Sequence, residues 1–550
     1  MNLDGLFVEF VDETTPLSSL HGATSLEAQG SYNTLDFVVR LRPDLHQILE
    51  AQGGELSMRK CDSWDAAKAF STYFHETVHW WQHVGTSAGL MLSFLQPAHA
   101  HMNRQRLGEV LVAHGPVKPL IGLAAKLLDA NDKQDESLNF VLNNWHDLEF
   151  FRKLVLNPVD LAKVVANDPY FMSVGHSYHM AIGATSWLIG ATVDPEYEVL
   201  PHPCDWEASM AELRATRTEG FYLGSPIKVP PLGAREIFEG QARFSQLQYL
   251  FGASGGKLAW NDIRRTGMLS GVYVRAFEVF LDFVEDDWPA TVDDPIVGLF
   301  LLICDVALSP SEGIFLPMTD PSALIWSTDP AWRFIFLCRA AKEQGHDFKR
   351  SIQTYSAQEY WDVSQRLSDL ILSPSPRKLA EAVVRNSDSH PSWSQLVEED
   401  QSFEYREGNF PIRVLLGRFT RMQRDKLASP QFFCWPGMCL TSYRQPLPPE
   451  TVVSLFSEHQ ALFLDRADRD VYPRLVPGKD EMTLQHLLDE FYVWVSTYEM
   501  TRQWLVEDGP FDYDYLWLTS KFTSSEIKAW ADNNFQIGTG VHPDVFSILR

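Results

Sequence analysis

A mainly α fold with a minor β part (α+β) is what this chain predicts. Two short runs near the N-terminus look like strands, the second alternating as a half-buried strand does, and most of the later segments carry apolar residues at helical spacing. Leu6 to Phe10 and Leu35 to Leu41 are the predicted strands. In the second, Leu35, Phe37, Val39 and Leu41 alternate with Asp36, Val38 and Arg40. The next predicted element is a helix from Asp62 to Val84. Asp62 or Ser63 can cap its first turn, Asp65 complements the helix dipole, and Phe70, Phe74, Val78 and Trp81 form an apolar stripe before Gly85 ends it. Further helices are predicted at Leu120–Leu128, Ser137–Leu156, Asp160–Val165, Ser177–Leu188, Trp206–Arg214, Ala234–Phe251, Trp260–Val284 and Ile296–Leu308. A proline-, serine- and aspartate-rich loop spans Ser309 to Pro330, and a helix from Ala331 to Glu343 follows it. A boundary near Gly345 divides the chain into a region 1–345 and a mainly helical C-terminal region 346–550 of unassigned role. The second region carries a long amphipathic candidate from Thr483 to Glu507.

The run with the most chemical content is His75-Glu76-Thr77-Val78-His79. On a helix, His75 and His79 fall about 40° apart and about 6 Å along the axis, so both imidazoles can reach one metal ion. Glu76 then flanks the same face, placed to contact a water on that metal rather than to serve as a third ligand. The same pattern also arises in a histidine-rich helix whose side chains only satisfy hydrogen bonds in the core. His83 lies a further turn along, about 12 Å from His75, and reads as cleft wall.

A catalytic zinc site needs a third protein ligand and one open position. Glu239 is the preferred candidate and Glu236 its rival, one turn earlier on the same predicted helix; a glycine follows Glu239. Glu239-Gly240-Gln241-Ala242 resembles the glutamate helix of the gluzincins, zincin-like metallopeptidases whose third ligand is a glutamate on a second helix. The resemblance covers two helices, roughly 45 residues. It implies a zincin-like core with large helical insertions and a single zinc ion held by His75, His79 and Glu239. Where that family often has an aspartate that orients a zinc histidine, this chain has Arg243, so the orienting group must lie elsewhere.

A net charge of −26 argues against nucleic-acid and anionic-membrane partners. Six scattered cysteines, with no Cys-x-x-Cys pair, read as reduced thiols. Met1 to Asp12 shows no secretory pattern and the longest apolar stretch, Val297 to Leu308, is short for a bilayer, so a cytoplasmic setting is expected. His176 and His179, His146 with Glu149, Tyr273 with Glu278, and Asp305 are further polar groups that could serve the site. Core packing is the plainer reading of each.

These features lead to one expectation: a zinc metallopeptidase acting on a peptide or protein, with Glu76 as general base. Two alternatives stand beside it. One is a non-haem iron oxygenase using the same two histidines and carboxylate. The other is a catalytically silent interaction protein.

Overall fold

A computed structural model describes residues 30–32, 37–52, 63–130, 135–515 and 522–549. The predicted strand at Leu6 to Phe10 lies outside them, as do Leu35, Asp36, Cys61 and Asp62. The fold is mainly helical with a small sheet, as the sequence predicts. Four strands form that sheet: β1 (Gly30–Tyr32), β2 (Val38–Leu41), β4 (Phe463–Asp465) and β5 (Val471–Pro473), in the order β1-β2-β4-β5. The β1/β2 and β4/β5 pairs are antiparallel, whereas β2 and β4 run parallel with Val38 opposite Phe463. A second, two-stranded sheet joins β3 (Val117–Lys118) to β6 (Ser547–Ile548).

The helix bearing the two histidines runs Trp64–Gly85, with the Ser63 side chain accepting from the Ala66 amide. The Gly85 carbonyl at its end accepts from Gln423 Nε2 at 2.9 Å. Its sequence predicts one buried stripe, yet from Ala69 to Gly85 every residue is buried. Small polar residues make this possible by bonding their own helix. Ser71 donates to the Lys68 carbonyl at 2.7 Å and Thr77 to the Tyr73 carbonyl at 2.9 Å, so neither hydroxyl is stranded. The helix therefore lies in the interior, with the sheet, the helix Ala234–Ala253 and the helix Phe410–Ala428 packed around it.

Helix Ala234–Ala253 crosses it closely. Gly233, just before this helix, faces the Leu156 carbonyl so tightly that a Cβ would lie 2.2 Å from it. Gly240 packs against Ala276 and Phe300, where a Cβ would approach within 3.2 and 3.3 Å. The segment Trp260–Val284, expected as one helix, is two: Trp260–Arg265 and Val272–Val284. Gly267 and Gly271 between them adopt φ of 75° and 56°, the left-handed region that breaks a helix. The loop after Ser309 carries a 3₁₀ turn, Pro321–Ala323, and a short helix, Leu324–Thr328.

Residues beyond Gly345 complete the sheet through β4 and β5 and pack directly on the histidine helix, and one continuous hydrophobic core runs from Phe37 to Phe546. Cys204, Cys304, Cys338, Cys434 and Cys439 are free thiols. No helix among the described residues is long and apolar enough to cross a membrane.

Candidate metal centre

His75, His79 and Glu239 converge. His75 Nε2 lies 3.2 Å from His79 Nε2, and Glu239 Oε2 lies 3.4 and 3.3 Å from the two nitrogens. A tetrahedral ion with bonds of about 2.0–2.1 Å separates its ligands by about 3.3–3.4 Å. The three donor atoms thus have the spacing of one face of such a tetrahedron.

The hydrogen bonds around the triangle favour a cation at its centre. His79 Nδ1 is 2.8 Å from Gln82 Oε1, which can only accept. Gln82 is held in that orientation because its amide nitrogen donates to the Phe238 carbonyl and to Gln241 Oε1, both at 2.9 Å. Nδ1 of His79 therefore carries the proton, and the Nε2 lone pair points at Glu239. Glu239 Oε2 is buried without a hydrogen-bond partner among the described residues. Two acceptors aimed at one point in a dry interior repel each other unless a proton or a metal sits between them. The donor set of two imidazoles and one carboxylate fits zinc.

The neighbouring carboxylates have separate tasks. Glu236 Oε2 accepts from the Gly233 amide at 2.7 Å and caps its own helix, which removes it as a rival ligand. Glu76 is 5% exposed, and burial, aided by the Glu239 charge, pushes its pKa up to about 8 against the opposing pull of His79 and Arg243. Burial also pulls His75 down to about 3. At His79 burial acts the same way, but the carboxylates of Glu239 and Glu76 outweigh it and lift the imidazole to about 9. Burial likewise opposes the Glu239 charge, and His79 and His75 overcome it, holding the carboxyl well below its usual range.

A pH dependence follows for metal uptake. Without a cation, His79 holds a proton up to about pH 9, and a metal at Nε2 must displace it. Below that pH each unit of acidification adds tenfold to the competing proton. Zinc affinity is therefore expected to rise at least tenfold per pH unit between pH 6 and 8, and more steeply where the buried Glu76 carboxyl, raised to about 8, also gives up its proton in the bound state. Competition titration with a chromogenic chelator checks the slope; a flat profile would mean that this proton is absent.

Arg243 and Tyr273 border the same site. The Arg243 guanidinium lies over the Tyr273 ring at 4.1 Å from its centroid, and the Tyr273 ring is 6.0 Å from that of His75. Both groups feel the charges of Glu239 and Glu76. Arg243 Nη1 donates to Gln246 Oε1 at 2.5 Å, while its buried Nε has no hydrogen-bond partner among the described residues. Arg243 occupies the position expected for an orienting acid, and Gln82 does the orienting instead. Sequence reasoning missed Gln82, although its place three residues after His79 puts it on the adjoining helix face.

The other expected helpers lie elsewhere. Asp305 pairs with Lys426 Nζ at 2.7 Å and accepts from the Tyr360 hydroxyl at 2.5 Å, so it orients no histidine of the cluster. Glu278 is exposed. Glu149 pairs with Arg152 rather than His146, which stacks on Tyr170. His176 pairs with Asp147, and His179 lies 3.5 Å from Glu207. His83 bonds the His79 carbonyl at 3.0 Å and packs on Phe238, as cleft wall. A second cluster, Asp532, His542 and Asp544, already holds a cation, since Lys528 Nζ bonds both carboxylates at 2.5 and 2.8 Å.

No protein-family model, curated protein or solved structure matches this chain.

Proposed function

We propose that this chain is a zinc-dependent hydrolase that cleaves an amide bond in a peptide or protein substrate. The observation that carries the proposal is the His75–His79–Glu239 triangle of 3.2–3.4 Å edges, with the buried carboxylate of Glu76 on the same helical turn. His75, His79 and Glu239 would hold the ion. Bound zinc supplies a Lewis acid that makes water nucleophilic near neutral pH. Glu76 accepts the proton released as water attacks the carbonyl, then returns it to the leaving amine. Tyr273, stacked with Arg243 at the edge of the site, donates a hydrogen bond to the developing oxyanion, and the guanidinium adds positive charge beside it. A cytoplasmic setting belongs to the same proposal, supported by the free thiols.

Zinc-loaded protein is expected to cleave members of a mixed peptide library, in a manner abolished by chelator, with new termini read by mass spectrometry. Tyr273→Phe is expected to keep the zinc and lower kcat by about 10- to 1,000-fold. Iron in place of zinc, with turnover that consumes oxygen, would replace this reading by the oxygenase that the same donor set can serve. Protein with no metal and no response to added zinc would favour an interaction role.

A further inference from the structure

On the other side of the histidine helix lies a cavity of about 800 Å³, bounded by β2, β4, β5, the helix Pro43–Glu50 and the helix Pro449–His459. Tyr73 projects into it from the histidine helix. It sits two residues before His75, about 200° around the helix axis, so cavity and metal centre occupy opposite faces of one element.

The polar groups in this cavity are unbalanced. Arg474 is buried, and its Nε donates to the Ala461 carbonyl at 3.1 Å. Its two terminal nitrogens make no hydrogen bond, and no carboxylate pairs with it among the described residues. Burial pulls its pKa down to about 10, with the like charges of Arg418 and Arg421 acting the same way and Tyr73 opposing them. The Tyr73 hydroxyl is also buried with no hydrogen bond of good geometry among the described residues; Thr77 lies near enough to influence it, and so does the charge of Arg474. Asp465, in the same lining, forms no ion pair with Arg474. Its Oδ1 accepts from the Leu41 amide at 3.0 Å and pairs with His46 Nε2 at 2.6 Å. Glu50 stands at the solvent edge and Arg466 is stacked on Tyr472. The rest of the lining is largely apolar, including Val39, Leu41, Leu49, Phe456, Leu464 and Val476.

A guanidinium fork that opens into a cavity with no protein acceptor opposite it is available to an anion. The planar fork matches a carboxylate through two parallel hydrogen bonds. A cavity of this size, mostly apolar with a few convergent polar groups, is the ordinary form of a small-molecule site. We propose that it binds a small amphipathic carboxylate. The carboxylate would lie on the two terminal nitrogens of Arg474 and accept from the Tyr73 hydroxyl, with its apolar body along Val39, Leu49 and Leu464. The site is independent of the metal, since none of its groups belongs to the His75–His79–Glu239 set.

Calorimetric titration of the full chain in the presence of EDTA tests this, because no carboxylate can then bind through zinc. Dodecanoate, kept below its micellar concentration, is expected to bind one per chain. Dodecanol, with the same body and no charge, is expected to bind at least tenfold more weakly. Inorganic phosphate and acetate should not saturate over the same range. The acidic chain repels anions in general, so saturable uptake of one points to a specific cationic site. Arg474→Gln should weaken dodecanoate at least tenfold and Tyr73→Phe about threefold or more. Leu49→Trp, which fills the cavity and leaves Arg474 intact, should abolish binding, and it serves where Arg474→Gln fails to fold. Absence of binding to the unaltered chain, equal binding of dodecanol, or dodecanoate binding unchanged by Leu49→Trp would overturn the proposal. Phosphate binding as tight as that of dodecanoate would overturn the part played by the apolar body.

Discussion

Replacing Glu76 by glutamine is expected to leave one zinc ion bound at nearly unchanged affinity and to lower amide hydrolysis by about 10²–10⁴-fold. Glu76 is not among the three converging donors, so its loss removes no ligand. It is buried on the turn that carries His75 and His79, within electrostatic reach of His79, Glu239 and Arg243. In the cation-free protein, burial and the Glu239 charge raise its pKa to about 8, so near pH 7 it is mostly protonated. A dication at the triangle reverses that balance and returns it to the ionised, proton-accepting form. Glutamine keeps the size and most hydrogen bonding of glutamate but cannot accept the proton. Zinc content and turnover measured on the same preparation check the outcome; normal turnover would place the base elsewhere.

The second large effect separates two glutamates three residues apart. Glu239→Gln is expected to lower zinc affinity by on the order of 10³-fold, because loss of a direct ligand exceeds the 10- to 100-fold typical of the groups behind the ligands. Glu236→Ala is expected to leave zinc affinity unchanged and to cost about 1 kcal/mol of stability, since its carboxylate caps the Gly233 amide. Competition titration with zinc and urea denaturation read the two effects apart. A reversed pattern would exchange the two roles.

The histidine helix was legible because its signals are local: a capping serine, two histidines four apart and a terminal glycine. Glu239 was reachable through Gly240, although that glycine makes room for Ala276 and Phe300 rather than for a metal. Other features depend on distant partners and leave little local trace. β4 and β5 are three residues each, too short to show a period, and they exist because β2 offers an edge more than 400 residues away in sequence. Helix Ser87–Met102 was missed because Pro97 lies inside it and Gly89 near its start. Gly89 is there for a close approach, since a Cβ would stand 2.0 Å from the Gln82 carbonyl. Asp305 looked like an orienting acid, but Lys426, on a helix more than a hundred residues further on, claims it. The stacking of Arg243 on Tyr273 joins two helices whose crossing no single-sequence pattern encodes.

Zinc-edge X-ray absorption of the chelator-stripped chain reloaded with one equivalent of zinc tests the metal centre most directly. The expected spectrum shows only nitrogen and oxygen neighbours at about 2.0–2.1 Å, with the outer-shell scattering of two imidazoles. The paired variant His75→Ala/His79→Ala should lose both the zinc and that signature. Sulfur neighbours at about 2.3 Å, or a spectrum that survives loss of both histidines, would contradict a centre built from His75, His79 and Glu239.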